Sequence, residues 1–373
     1  MKKIIFLFSF LILYALTSYS QEKDSTKVSK FAEFNKKMEA LFKKIPVPFA
    51  SYTQETGTLF GLAKYNIIHL SKKDTISPPS KISGVATIST NGSMALAGGT
   101  QLYFGKGKYI FMSGTYIKIF PEYYLGIGNT VYVKDMEKID VEKWGLDFDI
   151  LKVIGENLYF GINYSYTNYW KITKEDSSML DARNILGKNG GTTSGFGVSL
   201  LFDSRDSKYN SSKGMYFFSS YTTYQKFLGS QFAFNSVNLD FRKYWSIWPK
   251  HILAYQIASD FNYGNVPFFD LSMMGGSDRM RGYYQGAIRD HLLIDNQIEF
   301  RIPIWKIFGF AAFFGAGRVF NNYNDLAFKD IYYAGGGGLR IMVDSENRAN
   351  LRLDFAYGKY GVKAFIFGFA EAF

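Results

Sequence analysis

Residues 296–304 read NQIEFRIPI. In an extended chain Ile298, Phe300, Ile302 and Ile304 fall on one face and Gln297, Glu299 and Arg301 on the other, because successive side chains of a strand point to opposite sides. The same period of two recurs along most of the chain. In 349–359, Leu351, Leu353 and Phe355 oppose Arg352 and Asp354, and in 157–171, Phe160, Ile162, Tyr164, Tyr166 and Trp170 oppose Gly161, Asn163, Ser165 and Thr167. About sixteen such segments run from 57–69 to 362–373, with 108–119 and 122–132 read as separate strands. Each is close to or above the roughly 9–11 residues that cross a bilayer at a tilt. No helical period interrupts them, which argues against a parallel α/β sheet. Two all-β architectures remain. A soluble sandwich turns its apolar faces inward, whereas a transmembrane antiparallel barrel turns them toward lipid.

Composition favours the barrel. Aromatic residues make up 18% of the 373-residue chain, there are 36 glycines, 8 prolines and no cysteine, and mean hydropathy is −0.09. Alternating lipid-facing and lumen-facing residues average to such a value, while a bundle of spanning helices does not. Without cysteine there is no disulfide framework, thiol nucleophile or lipoprotein anchor. The net charge of +11 is spread along the chain with no recognition motif, so it does not indicate a nucleic-acid partner.

The chain opens with Lys2-Lys3, an apolar run from Ile4 to Leu16 and the small-x-small stretch Ser18-Tyr19-Ser20. This pattern marks residues 1–20 as an export signal. Residues 21–56 form an expected periplasmic segment. Within 28–44, Phe31, Phe34, Met38, Leu41 and Phe42 sit at helical spacing among lysines. A short basic amphipathic helix of this kind suits an anionic leaflet, the barrel mouth, or packing against the first strand. Pro46 and Pro48 end it. The barrel is expected over 57–373. If both chain ends are periplasmic, the connections 70–80, 105–107, 133–140, 172–190 and 264–290 lie outside the cell.

One polar segment stands apart, GGSDRMRGYYQGAIRD at 275–290. Arg281 beside Gly282 and Tyr283 can reach a confined polar space and pair with a carboxylate in fork geometry. The string resembles the loop-six signature of the BamA/TamA superfamily of outer-membrane assembly proteins, also called the bacterial surface antigen family. PVPFASYTQETGTLFG at 46–61, LLFDSRDSKYNSSKG at 200–214, IEFRIPI at 298–304 and LRLDFAYG at 351–358 extend the resemblance over most of 46–373. It implies that loop 264–290 folds back into the barrel and that its arginine locks against the inner wall. It also implies a lateral seam between the strands at 57–69 and 362–373, marked by Gly57, Gly61, Leu62, Phe369 and Phe373. Family members carry an acid on strand thirteen as the arginine's partner, where this chain has Gly315. Glu299 is then the first candidate partner and Asp354 the second, with Arg352 close enough in sequence to neutralise the latter. The 36 residues between the expected cleavage site and strand one are too few for the family's periplasmic receptor (POTRA) modules.

The implied function is insertion or translocation of proteins or lipids at the outer membrane. The competing readings are an accessory barrel that binds a protein partner or a second copy of itself, and a passive pore. No catalytic, cofactor or metal site is expected. His69, His251 and His291 lack ligand spacing, and Asp203, Arg205 and Asp206 have no nucleophile or histidine beside them, which suits a turn salt-bridge network.

Overall fold

The computed structural model describes Glu33, Lys37 and residues 44–53, 57–129, 136–175, 178–182, 185–325, 329–345 and 347–373. The expected export signal, and the expected helix apart from Glu33, Lys37 and Lys44, lie outside these residues. The strands in chain order are β1 (Val47–Thr53), β2 (Gly57–Ile68), β3 (Ser80–Ser89), β4 (Met94–Phe104), β5 (Tyr109–Tyr124) and β6 (Glu137–Gly155). Then come β7 (Leu158–Thr173), β8 (Gly191–Asp203), β9 (Gly214–Tyr224), β10 (Phe234–Trp248) and β11 (His251–Gly264). A small hairpin, β12 (Ser272–Met274) with β13 (Ile288–Asp290), precedes β14 (Leu292–Trp305), β15 (Phe308–Phe320), β16 (Tyr332–Asp344), β17 (Ala349–Gly358) and β18 (Lys363–Phe369). All except β12 and β13 form one closed antiparallel barrel of sixteen strands, in which β11 pairs with β14 and β1 with β18.

The orientation of the faces decides between the two all-β architectures. Ile298 is 42% exposed and Ile304 58%, whereas Gln297, Glu299 and Arg301 between them are buried. Phe355 is likewise exposed while its neighbours Arg352 and Asp354 are buried, and Phe160, Ile162 and Trp170 are exposed while Asn163 is buried. Apolar side chains therefore point out and charged ones in, the inverse of a soluble sandwich and the pattern of a barrel whose solvent is lipid. Closure satisfies the ladder hydrogen bonds that an open sheet edge would leave bare in such a solvent.

Three boundaries differ from the sequence reading: the last strand ends at Phe369 and not at Phe373, and proline explains the other two. Residues 109–124 are one strand, not two. Pro121 lies beyond Ile119, where pairing with β4 ends at Met94, so β5 has only β6 beside it there. A missing N–H is tolerated where one side of a strand is unpaired. Residues 47–53, expected within the N-terminal segment, are β1. Pro48 lies opposite Leu62 of β2, and the aligned pairing of β1 with β18 is at Tyr52, away from Pro48. One strand gained and one lost keep the total at sixteen but reverse the end assigned to 69–79 and 105–108. Those connections meet each other: Lys106 N donates to Asp74 Oδ2 (2.9 Å) and Gly107 N to Ser77 Oγ (2.7 Å). At the opposite end the connection after β11 meets those after β5 and β7, through Gly128 N to Arg289 O (2.9 Å) and Phe268 N to Leu186 O (2.9 Å).

Ile298 tests the outward face directly. Ile298→Arg should destabilise the protein refolded in lipid vesicles by about 2–4 kcal/mol, the cost of a cation near the bilayer midplane. Denaturant titration reads this. A change within about 0.5 kcal/mol, as at an ordinary surface site, would show that water covers this face.

Candidate functional site in the lumen

The segment between β11 and β14 enters the lumen. It starts with a turn at Phe268–Asp270, forms the β12/β13 hairpin, and sends residues 275–286 toward the inner faces of β14 to β17. Gly282 has φ 108°, and a Cβ there would stand 2.9 Å from the Tyr357 carbonyl carbon and 3.0 Å from Gly358 N. The tip therefore lies directly on the backbone of β17, where only glycine fits. Tyr283 anchors it. Its hydroxyl donates to Tyr333 O (2.7 Å) and accepts from Lys359 N (2.7 Å).

Arg281 has no solvent-exposed side-chain surface. Its Nη2 is 2.7 Å from Glu299 Oε2 and its Nη1 is 2.7 Å from Asp354 Oδ2. Its guanidinium carbon lies 3.5 Å from the centre of the Phe313 ring, where the ring's negative face attracts a cation. Gln297 Oε1 lies 3.4 Å from Nη2. The two acids come from β14 and β17, so one planar fork ties together strands that are not neighbours. Gly315 of β15, where the family pattern has an acid, makes room for the tip instead. A Cβ at Gly315 would meet Met280 Sδ at 3.2 Å.

Further pairs surround the arginine. Arg279 binds Asp295 (2.7 Å) and Asp260 (2.9 Å). Burial works against the charge of Arg279, but the two carboxylates outweigh it and raise its pKa further. Arg352 donates to Asp278 (2.7 Å) and Ser277 O (3.1 Å) and lies 3.4 Å from Asp354. Arg340 is the closer basic neighbour of Asp354, at 2.5 Å. On the hairpin, Arg289 donates to Gly286 O (2.5 Å) and Phe268 O (3.2 Å) and lies 3.7 Å from Glu122 of β5.

A model of the Omp85 superfamily domain matches residues 128–373. The chain belongs to the Omp85 superfamily. Two solved structures are similar in fold. One is BamA from Haemophilus ducreyi lacking POTRA domains 1–3, with TM-score 0.54 and 13% identity, covering 95% of this chain and 80% of that one. The other is CdiB from Acinetobacter baumannii, with TM-score 0.52 and 14% identity, covering 87% of this chain and 58% of that one. No curated protein sequence matches the chain.

The strand pair that closes this Omp85 barrel lies one strand earlier than the sequence reading places it. Gly61 and Leu62 lie on β2 inside the ladder with both β1 and β3, and Gly57, at the start of β2, pairs with Thr53 of β1. The closing pair is β1 with β18, aligned at Tyr52 opposite Phe365. Beyond Phe365, β18 slides inside the wall. Phe367 stacks on Phe49 (4.4 Å between centroids) and Phe369 on Tyr65 (3.5 Å), although Phe367 and Phe369 lie on the face of β18 opposite Gly368, which abuts Arg352. Phe373 is not part of the strand. It is buried in the lumen beside Tyr244 and Ala254. Asp203 and Arg205 (2.9 Å), Lys208 with Asp203 (2.7 Å), and Asp206 with Arg348 (3.1 Å) form ion pairs around the turn after β8.

Sequence reasoning missed Arg340, Phe313 and Arg279. Alternation could have found Phe313, which shares the inward set of β15 with Gly315. Arg281→Ala should leave Glu299 and Asp354 short of a cation and cost about 3–5 kcal/mol of stability, as breaking a buried pair does. Arg281→Lys should recover only part, because an ammonium lacks the planar fork. Denaturant unfolding in detergent micelles reads both variants, and equal stability of wild type and Arg281→Ala would place the arginine in solvent.

Proposed function

We propose that this barrel sits in the outer membrane and aids insertion or translocation of proteins or lipids there, through the β1/β18 seam. The observation that carries the reading is the closure itself. β17 and β18 are aligned from Leu351 opposite Phe369 to Tyr357 opposite Lys363, while β1 and β18 align at Tyr52 and Phe365. Past that point β18 overlaps β1 and β2 through stacked rings, Phe367 on Phe49 and Phe369 on Tyr65, and not through a ladder. An overlap of this kind parts at the cost of ring contacts, whereas parting any other pair breaks a run of backbone hydrogen bonds in a solvent that cannot replace them. Membership of the Omp85 superfamily supports the same reading. In this orientation the segment after β11 enters from the outer face. A passive pore fits less well, because that segment and its ion pairs occupy the lumen beside β14 to β17. The reading invokes no catalytic chemistry.

The chain has no cysteine, so the pair Tyr52→Cys/Phe365→Cys gives a clean crosslink across the seam. Cells carrying the oxidised double variant should show the outer-membrane protein and lipid profile of a deletion strain, with recovery on reduction. A wild-type profile with the seam fully crosslinked would rule out passage through it.

A further inference from the structure

We propose that residues 370–373 are a latch for the overlapped end of β18, held in the lumen by the same arginines that complete the Arg281 lock. The loop lock and the tail latch therefore stabilise each other. The consequence for traffic through the wall rests on the seam reading above, but the coupling itself is a property of the fold.

The tail leaves β18 abruptly. Ala370 has φ 66°, a left-handed conformation that a residue with a Cβ adopts only when its surroundings hold it there. Ala370 N donates to Asn350 O (2.8 Å) and Glu371 N to Tyr209 O (3.3 Å). These bonds turn the chain into the lumen. Glu371 then accepts from Arg340 Nε (2.6 Å) and Asn350 Nδ2 (2.7 Å) and lies 3.7 Å from Arg301. Arg301 Nη2 donates to Phe373 O (2.8 Å), and Ala372 and Phe373 pack against Tyr244 and Ala254.

Both arginines that hold the tail also hold the acids of the lock. Arg301 Nε is 2.7 Å from Glu299 Oε1, and Arg340 Nη1 is 2.5 Å from Asp354 Oδ1. Arg281 takes the remaining oxygen of each acid, Glu299 Oε2 and Asp354 Oδ2. With Arg281 in place each lock arginine needs to serve only one oxygen of its acid and has the rest of its fork free for the tail. Without Arg281, two carboxylates with no solvent exposure lose a short partner each. Arg340 Nη2 already stands 3.5 Å from Glu299 Oε2 and is the nearest replacement. Turning it to Glu299 draws the guanidinium from Glu371. Glu299 and Asp354 sit within strands paired on both sides and cannot follow. Glu371 lies past the last paired residue of β18, so it is the acid that leaves. Coupling of this kind is reciprocal, so loosening the tail must also loosen the loop.

Thiol labelling with a membrane-impermeant maleimide on purified protein in detergent reads both directions. Ala372→Cys should be protected in an otherwise wild-type chain and label at least tenfold faster when combined with Arg281→Ala. Ser199→Cys, in the wall at β8, should stay protected in both backgrounds. Conversely, Glu371→Gln should speed labelling of Met280→Cys, at the loop tip, by a similar factor. Unchanged protection of Ala372→Cys beside Arg281→Ala, with Ser199→Cys still protected, would overturn the coupling. If Arg281→Ala also exposes Ser199→Cys, the barrel has opened as a whole and the Glu371→Gln arm decides. Faster labelling of Met280→Cys then supports the latch, and an unchanged rate overturns it. No client is present in these measurements, so they report the latch even if the crosslinked seam proves fully active.

Discussion

A guanidinium with no access to water must find its counter-charges in the cavity that encloses it, and Arg281 finds two of them on strands that do not touch each other. The rest of the lumen is arranged to permit this. Glu299 and Asp354 face inward because their strands alternate with apolar residues that face outward. Gly282 brings the tip onto the β17 backbone, Gly315 clears space for Met280, and Phe313 supplies a ring beneath the charge. Placing several ions out of water is expensive, and such clusters add little net stability against an apolar core of the same shape. What they add is a single arrangement of the loop, since any displacement strands charges on both sides.

The same economy explains why the barrel is uneven around its circumference. From β2 to β18 the wall is a continuous antiparallel ladder, which lipid enforces by offering no alternative hydrogen-bond partner. At β1 and β18 the ladder shrinks and ring stacking takes over. Aromatic stacking is worth about 0.5–1.5 kcal/mol per pair beyond burial, a small barrier beside that of unzipping a strand pair. The weak joint and the charged cluster lie close together, because Arg352 abuts Gly368 of β18 while reaching Asp278 of the loop.

Much of this was legible in the sequence, for a physical reason. Lipid outside and a polar lumen inside impose a strict period of two, and that period assigns Glu299 and Asp354 to one set of side chains with no knowledge of the fold. It gives the strand count and the class, while the entry of the long segment into the lumen is implied by the resemblance of residues 275–290 to the family's loop-six signature. Proline misleads the period at two of the places where the reading departs from the structure. Pro48 and Pro121 are breakers in a paired strand but harmless where a side is unpaired, and which side is unpaired depends on the neighbours' lengths. Shifting the first strand moved the seam from Gly57, Gly61 and Leu62 to β1. The period of two carries the last strand on to Phe373, but Ala370 breaks it, so nothing in the pattern joins Glu371 to arginines 31 and 70 residues earlier.

The central claim is that the tip of the loop lies against the inner wall in the folded protein. The most direct measurement is disulfide formation in Met280→Cys/Gly315→Cys, since a Cβ at Gly315 would stand 3.2 Å from Met280 Sδ. Spontaneous, near-complete crosslinking in the folded barrel, with each single variant protected from impermeant thiol reagents, is the result this account requires. Two free thiols that label rapidly while the barrel remains folded would contradict it.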